Sequence, residues 1–385
     1  MTGTHPPDWN QCLATGAPGI ALLHIHAARA GTGSWSTAQR WAAAMTGHSI
    51  DAHADNSSLY LGAPAVAFVL HCAEQPAWAG TLDALDGHIA TATQQRLARA
   101  HDRIDWQQLP TLGEFDLISG LTGIGAYLLH RRHDDLLREV LVYLVRLTQP
   151  LVVGGGTLPG WWSHHGPADR PSPQWPGGHC NLGMAHGIAG PLSLLSLAMR
   201  RGVTVSGQAA SIDRICTWLD RWRCGSTPSI WWPEMISRSE WPTHTVRRET
   251  PPRPSWCYGT PGLARAQQLA GIALGDTRRQ QHAERAFAAC LTDPRQVDQL
   301  DNPTLCHGWA GLTVTASRIA EDSINDMGLA DRVSYLREQT RAYAHHHKAS
   351  GDGLLEGATG VDLALAATAA TSPATPQWDT CLLLS

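Results

Sequence analysis

Charge is what this sequence has least of. Asp, Glu, Lys and Arg together make up 16% of its 385 residues, whereas 43% are hydrophobic, so much of the chain has to lie inside a core. The two signs nearly balance: 29 Lys and Arg stand against 33 Asp and Glu, a net charge of −4. That balance leaves no basic patch to attract nucleic acid or an anionic membrane. No apolar run reaches the ~18 residues that a membrane-spanning helix needs. The opening residues, Met1 to Asn10, carry no charged stretch followed by an apolar one, so no signal peptide is expected. Low-complexity linkers and charge runs are also missing, and the expectation is one domain over 1–385. Nine cysteines cannot all pair, which argues against a disulfide framework. A cytoplasmic protein with reduced thiols follows, and in such a chain clustered cysteines more often bind metal or do chemistry.

Histidine and tryptophan are plentiful instead, at 20 and 16 residues. Glycine falls in a pattern. Seven times a short turn, Gly-x-x-Gly or close to it, opens an apolar stretch: at Gly16, Gly62, Gly120, Gly187, Gly259, Gly308 and Gly357. Only the second departs, with Ala65 in place of the closing glycine. The first glycines recur every 46 to 72 residues, the period of a helical-hairpin array. The stretches after the turns, such as Ile124 to Leu129 and Pro191 to Met199, are apolar nearly all round, as in helices buried on every side. Between them lie amphipathic segments, clearest at 134–148, 211–223, 278–291 and 330–345, which read as outer helices.

Seven inner helices, each with an outer partner, close into an all-α ring (an α/α toroid) or stack into an open solenoid. A ring gathers all seven turns at one mouth, where glycine permits close backbone approach and positive φ. Two connections, 152–178 and 224–255, are rich in Pro and Trp. Proline forbids long helices there, so irregular or short-strand loops over the mouth are expected.

The chemistry gathers at the turns. Cys257 stands two residues before Gly259; Cys306 and His307 stand directly before Gly308. Two thiols and an imidazole at matching places in adjacent repeats suit a zinc site with an open fourth position, though each Cys alone reads as an ordinary buried residue. His186, one residue before Gly187, is a candidate fourth ligand or general acid/base. Asp116, four before Gly120, would orient a histidine or merely cap a turn. Arg253 would stabilise an oxyanion or sit on the surface of its loop. Tyr258 would donate to that oxyanion or pack. Glu356 reads equally as a mouth residue and a helix cap. His179 and Cys180 read as packing residues, and His345 to His347 as a solvated helix end.

Three motifs together resemble those of the lanthionine-forming peptide cyclases, the LanC family: Gly178-His-Cys-Asn-Leu-Gly-Met-Ala-His-Gly187, Trp256-Cys-Tyr-Gly259 and Cys306-His-Gly308. The seven glycine turns extend the resemblance over nearly the whole chain. It implies a toroid of seven inner and seven outer helices and one zinc ion on Cys257, Cys306 and His307. It implies His186 and Asp116 as a proton-handling pair, and roles in catalysis for Arg253 and Tyr258. The implied reaction is addition of peptide Cys thiols to dehydroalanine or dehydrobutyrine, closing thioether rings in a dehydrated precursor peptide that carries a leader. No dehydratase domain is evident, so a stand-alone cyclase is implied, with a separate dehydratase and a transporter as partners. Three other readings share parts of this chemistry: an enzyme adding glutathione or another small thiol to dehydro residues, a zinc-dependent prenyltransferase subunit, and a non-catalytic zinc-stabilised peptide-binding scaffold.

Overall fold

A computed structural model describes residues 8–227, 229–325, 328–347, 349, 351–369 and 378–385; most of the opening segment read for a signal peptide (residues 1–7) lies outside them. The described helices run, in order, α1 (Ala17–Arg29), α2 (Trp35–Thr46), α3 (Ala63–Cys72), α4 (Ala79–Asp105) and α5 (Leu112–Phe115). Then come α6 (Leu121–Arg131), α7 (Asp134–Leu147), α8 (Ala189–Arg200), α9 (Gln208–Arg221) and α10 (Thr260–Leu274). The last are α11 (Thr277–Cys290), α12 (Pro294–Val297), α13 (Trp309–Glu321), α14 (Leu329–His346) and α15 (Ala358–Ala367).

Seven of these follow the glycine turns: α1, α3, α6, α8, α10, α13 and α15. Each packs on the next, and α15 packs on α1, so the series closes into a ring and the open solenoid is excluded. Inner helices are buried most completely in the middle of the chain: every residue of α10 from Thr260 to Gly271 is buried, whereas α15 leaves Ala358 and Asp362 exposed. Outer helices bury one stripe; α7 hides Leu137, Val140, Leu141, Leu144 and Leu147 at helical spacing and leaves its charges outward. Six outer helices pair with the inner helix that precedes them: α2, α4, α7, α9, α11 and α14. Among the described residues no seventh outer helix follows α15. The chain reappears at Trp378–Leu382 as a 3-10 turn, and this segment lies inside the ring, with every residue from Trp378 to Leu384 at most 1% exposed.

The turns are built alike. Three residues before the first glycine stands a large apolar side chain with 0% exposure in all seven: Leu13, Leu59, Leu117, Met184, Trp256, Leu305 and Leu354. The residue directly before the glycine is never buried: Thr15, Leu61, Ser119, His186, Tyr258, His307 and Glu356. Backbone bonds join neighbouring turns at these levels. Leu13 N–H donates to Tyr60 O, Leu117 to Ala185 O, Met184 to Cys257 O, Cys257 to Cys306 O, Cys306 to Leu355 O, and Leu355 to Ala14 O. This belt gathers the turns, and with them the helix N-termini, at one mouth.

The glycines serve close approach more than unusual dihedrals. Of the seven first glycines only Gly62 has positive φ, at 73°; the backbone at Gly16, Gly120, Gly259, Gly308 and Gly357 is extended. The closing glycines lie against a carbonyl of their own turn. A Cβ on Gly262 would sit 2.0 Å from Trp256 O, and one on Gly360 would sit 1.9 Å from Leu354 O. The second turn, bent differently by Gly62, accepts Ala65 there. At the fourth turn α8 begins at Ala189, with Ile188 rather than Gly187 as its N-cap.

The two Pro/Trp-rich loops contain short strands, as expected. Strands β1 (Leu151–Val153) and β2 (Gly156–Leu158) form one hairpin. Strand β3 (His179–Asn181) comes next, then β4 (Cys224–Ser226) and β5 (Ser229–Trp231), a second hairpin, and β6 (Met235–Ser237). Strand β3 pairs antiparallel with β6, tying the two loops together. Trp162 and Trp222 both pack on Trp241, 5.8 and 6.0 Å between ring centres.

Candidate metal and proton-transfer site

The mouth brings the sequence-selected residues together. Cys257 and Cys306 occupy the same place in the fifth and sixth turns, and the belt bond from Cys257 N–H to Cys306 O, 3.3 Å, holds those turns side by side. The two sulfurs and a ring nitrogen of His307 all lie within 4.8 Å of one another, the one such group of three or more potential ligands among the described residues. One ion can draw all three into its shell at bonds of ~2.0–2.3 Å, and two thiols with an imidazole are a donor set compatible with zinc. Cys257 is 5% exposed; Cys306 and His307 are partly open, so a further ligand can approach from the mouth. The two thiols are hydrogen-bonded to each other. Hydrogen bonding from Cys306 holds Cys257 well below the usual thiol range, with His307 and Ser255 adding to it, and the hydrogen bond to Cys257, then burial and the Cys257 charge, push Cys306 up. The pair is primed to lose its first proton and take a cation.

His186 comes from the neighbouring fourth turn. Its Nδ1 lies 2.6 Å from Asp116 Oδ2. Burial would lower its pKa, but the Asp116 hydrogen bond and charge, with the Cys257 charge behind them, raise it above the usual 6.5. Asp116 does both things the sequence suggested. Its Oδ1 accepts the backbone N–H of Ser119 (2.6 Å) and Gly120 (2.8 Å), capping the third turn, while Oδ2 is left for His186. The carboxylate is almost fully buried, so the turn fixes it and it fixes the imidazole.

The Tyr258 ring lies tilted beside His186, ring centres 6.3 Å apart, and its hydroxyl is 3.5 Å from Asn181 Nδ2. Burial pushes its pKa up, so it stays a neutral phenol able to donate. Arg253 faces Asp301 at 3.5 Å, and its charge favours the thiolate of Cys306. Glu356 is exposed, and its charge opposes that thiolate. His179 and Cys180, both 0% exposed in β3, are packing residues as expected, with His179 Nδ1 2.9 Å from His165 O. His345, His346 and His347 are exposed at the end of α14, apart from the metal group.

Two residues escaped the sequence reading. Asn181 is fully buried; its Oδ1 accepts Gly183 N–H at 3.0 Å and its amide reaches Tyr258. Its position at the end of β3, inside the longest motif, was the available signal. Asp169, in the first Trp-rich loop, accepts the N–H groups of Leu112 (3.2 Å) and Gly113 (3.1 Å) in α5, the helix that delivers Asp116. Nothing local in the sequence marked it.

A closed ring of helices with a Cys–Cys–His group at its N-terminal mouth defines an α/α toroid with a candidate metal site. The chain belongs to the lanthionine synthetase C-like family, whose family model matches residues 7–383. It is 26% identical over 319 residues to the nisin biosynthesis protein NisC of Lactococcus lactis subsp. lactis, covering 80% of this chain and 73% of that protein. The solved structure of a nisin cyclase superposes with a TM-score of 0.81 over 98% of this chain and 93% of its own, at 23% identity, a match of fold. No helix among the described residues is long and apolar enough to cross a membrane.

Proposed function

We propose that this chain is a stand-alone lanthionine synthetase, a cyclase of one toroid domain over 1–385. It closes thioether rings in a dehydrated precursor peptide by adding Cys thiols to dehydroalanine or dehydrobutyrine. The similarity to a nisin biosynthesis protein supports the reaction class. The observation that carries the reading is the Cys257–Cys306–His307 group facing the His186–Asp116 pair across one mouth. One zinc ion, held by these three residues, would supply Lewis acidity that keeps the incoming peptide thiol as a thiolate.

The remaining roles follow from the side chains. The peptide sulfur attacks the β-carbon of the dehydro residue, and the π-electrons move onto the carbonyl as an enolate. Tyr258, a neutral phenol, and Arg253 donate to that oxygen. His186, with Nδ1 held by Asp116 and its pKa raised, delivers a proton from Nε2 to the α-carbon. The thiol's own proton leaves to solvent, so the peptide gains no net mass. The dehydro residues call for a separate dehydratase, and a leader on the peptide and a transporter complete the expected cytoplasmic partnership.

The test is incubation of the zinc-loaded protein with a dehydrated Cys-containing peptide, followed by thiol alkylation and mass spectrometry. Loss of alkylatable thiols at unchanged peptide mass is expected. Full thiol counts would overturn the reading, and a mass increase on adding glutathione would replace it with small-thiol addition.

A further inference from the structure

The segment Trp378–Ser385 stands where a seventh outer helix was expected, yet it lies inside the ring. It is held on several sides. Cys381 O accepts Tyr60 Oη at 2.8 Å. Leu384 O accepts Arg265 Nε and Nη2 at 2.9 and 2.6 Å. The Asp379 carboxylate takes Arg318 Nε and Nη2 at 2.5 and 3.1 Å. Leu382 O accepts Trp256 Nε1–H at 3.0 Å.

The segment meets Tyr60 of the second turn and packs on α6, and two of its anchors lie on helices next to the candidate ligands. Arg265 belongs to α10, which follows Cys257, and Arg318 belongs to α13, which follows Cys306 and His307. The segment therefore bridges from within the two helices that the ligand-bearing turns open. Trp256 is the exception among the seven buried residues three places before the first glycine. The others are Leu or Met; Trp256 alone brings an N–H, and that N–H finds Leu382 O. Leu382 O therefore satisfies a buried indole donor that the other six turns do not have. Trp256 is bonded in sequence to Cys257, and the clamp ends one residue from a metal ligand.

We propose that Trp378–Ser385 is an internal strut that positions the metal ligands, with Trp256, Asp379 and Arg318 as positioning residues that touch neither metal nor substrate. Outer-shell groups that hydrogen-bond a ligand are worth about 10–100-fold in metal affinity, and a strut acting through the backbone shifts affinity in the same direction. The inference rests on the metal site proposed above but not on cyclisation.

Two mild variants test it, because deletion of 378–385 would expose apolar core and fail to fold. Trp256→Phe keeps the ring and removes the donor. Asp379→Asn removes the charge facing Arg318, which retains Glu321 at 2.7 Å. Glu321→Gln, on the exposed side of the same arginine, is the control. In folded protein with unchanged circular dichroism, Zn2+ affinity by chelator competition should fall at least tenfold in the first two and stay unchanged in the control. Iodoacetamide labelling of metal-free protein, read by mass spectrometry, should show faster modification of Cys257 but not of Cys180, which is fully buried in β3. With dehydrated peptide, kcat should fall at unchanged KM. Wild-type affinity and labelling in both variants would overturn the proposal, as would equal acceleration at Cys257 and Cys180, the mark of general loosening. A wild type that binds zinc but closes no rings would overturn the cyclase reading alone, since affinity and labelling still judge the strut.

Discussion

The first three turns and the last four share one scaffold and carry different chemistry. In both sets the third residue before the first glycine is buried and apolar, and the residue directly before the glycine is open to the mouth. In turns one to three that open position holds Thr15, Leu61 and Ser119; in turns four to seven it holds His186, Tyr258, His307 and Glu356. One place further back are Ala14, Tyr60 and Ile118 on one side, and Ala185, Cys257, Cys306 and Leu355 on the other. The belt of backbone bonds runs through both sets, so ring geometry does not depend on what the mouth positions carry. The proposed chemistry is concentrated on one arc of a shared frame. The other arc contributes support: Asp116, from the third turn, reaches across to hold His186.

Exchanging side chains within the arc should do most to separate the two sets. Cys306→Ala should reduce zinc from one ion per chain to near none by metal analysis, a larger loss than the ~10–100-fold expected for an outer-shell partner. Thr15→Ala, at the open position of the first turn, should leave zinc content unchanged. If both retain zinc, the arc is not a metal site.

Next in size is the proton donor. His186→Asn should keep zinc and lower the cyclisation rate by ~10²–10⁴. The pH profile sharpens this. Because the His186 pKa is raised above 6.5 by Asp116, the imidazole stays protonated to higher pH than a free histidine. The stability this pairing adds is complete below the unfolded value and is lost as pH rises through the folded one. Activity should fall on the same alkaline limb. Asp116→Asn, which keeps an oxygen for the cap, should move that limb to lower pH. An unmoved limb would remove His186 as the titrating donor.

The smallest effects concern the frame. Gly262→Ala places a Cβ against Trp256 O and should cost about 1–3 kcal/mol or more, the usual price of overpacking. Ala65→Gly, at the one turn that already tolerates a Cβ, should cost only ~0.5–1 kcal/mol. Urea melts decide between them; equal costs would mean that the second turn is not built differently.

Much of the frame was legible because its causes are local. Inner helices announce themselves by apolar character on every side, outer ones by a stripe, and the turns by glycines that a carbonyl crowds. Cys257, Cys306 and His307 could be matched because equivalent repeat positions meet at one mouth. What a glycine is for was less legible: sequence allowed positive φ or close approach, and only Gly62 uses the former. The fit of Asp116 to both of its readings was hidden too, since each carboxylate oxygen serves one of them.

By itself the sequence determined a helical repeat with seven glycine turns, a Cys–Cys–His group in adjacent repeats, and a histidine beside it. Spacing and periodicity act over a few residues and leave their mark in order along the chain. Tertiary structure alone decided that the repeat closes rather than winds open. It brought Asp116 to His186 across 70 residues, set Asp169 under α5, and drew Trp378–Ser385 into the ring to meet Trp256 across 126. Such contacts satisfy buried donors and charges wherever the fold happens to offer a partner, and that requirement has no period to read.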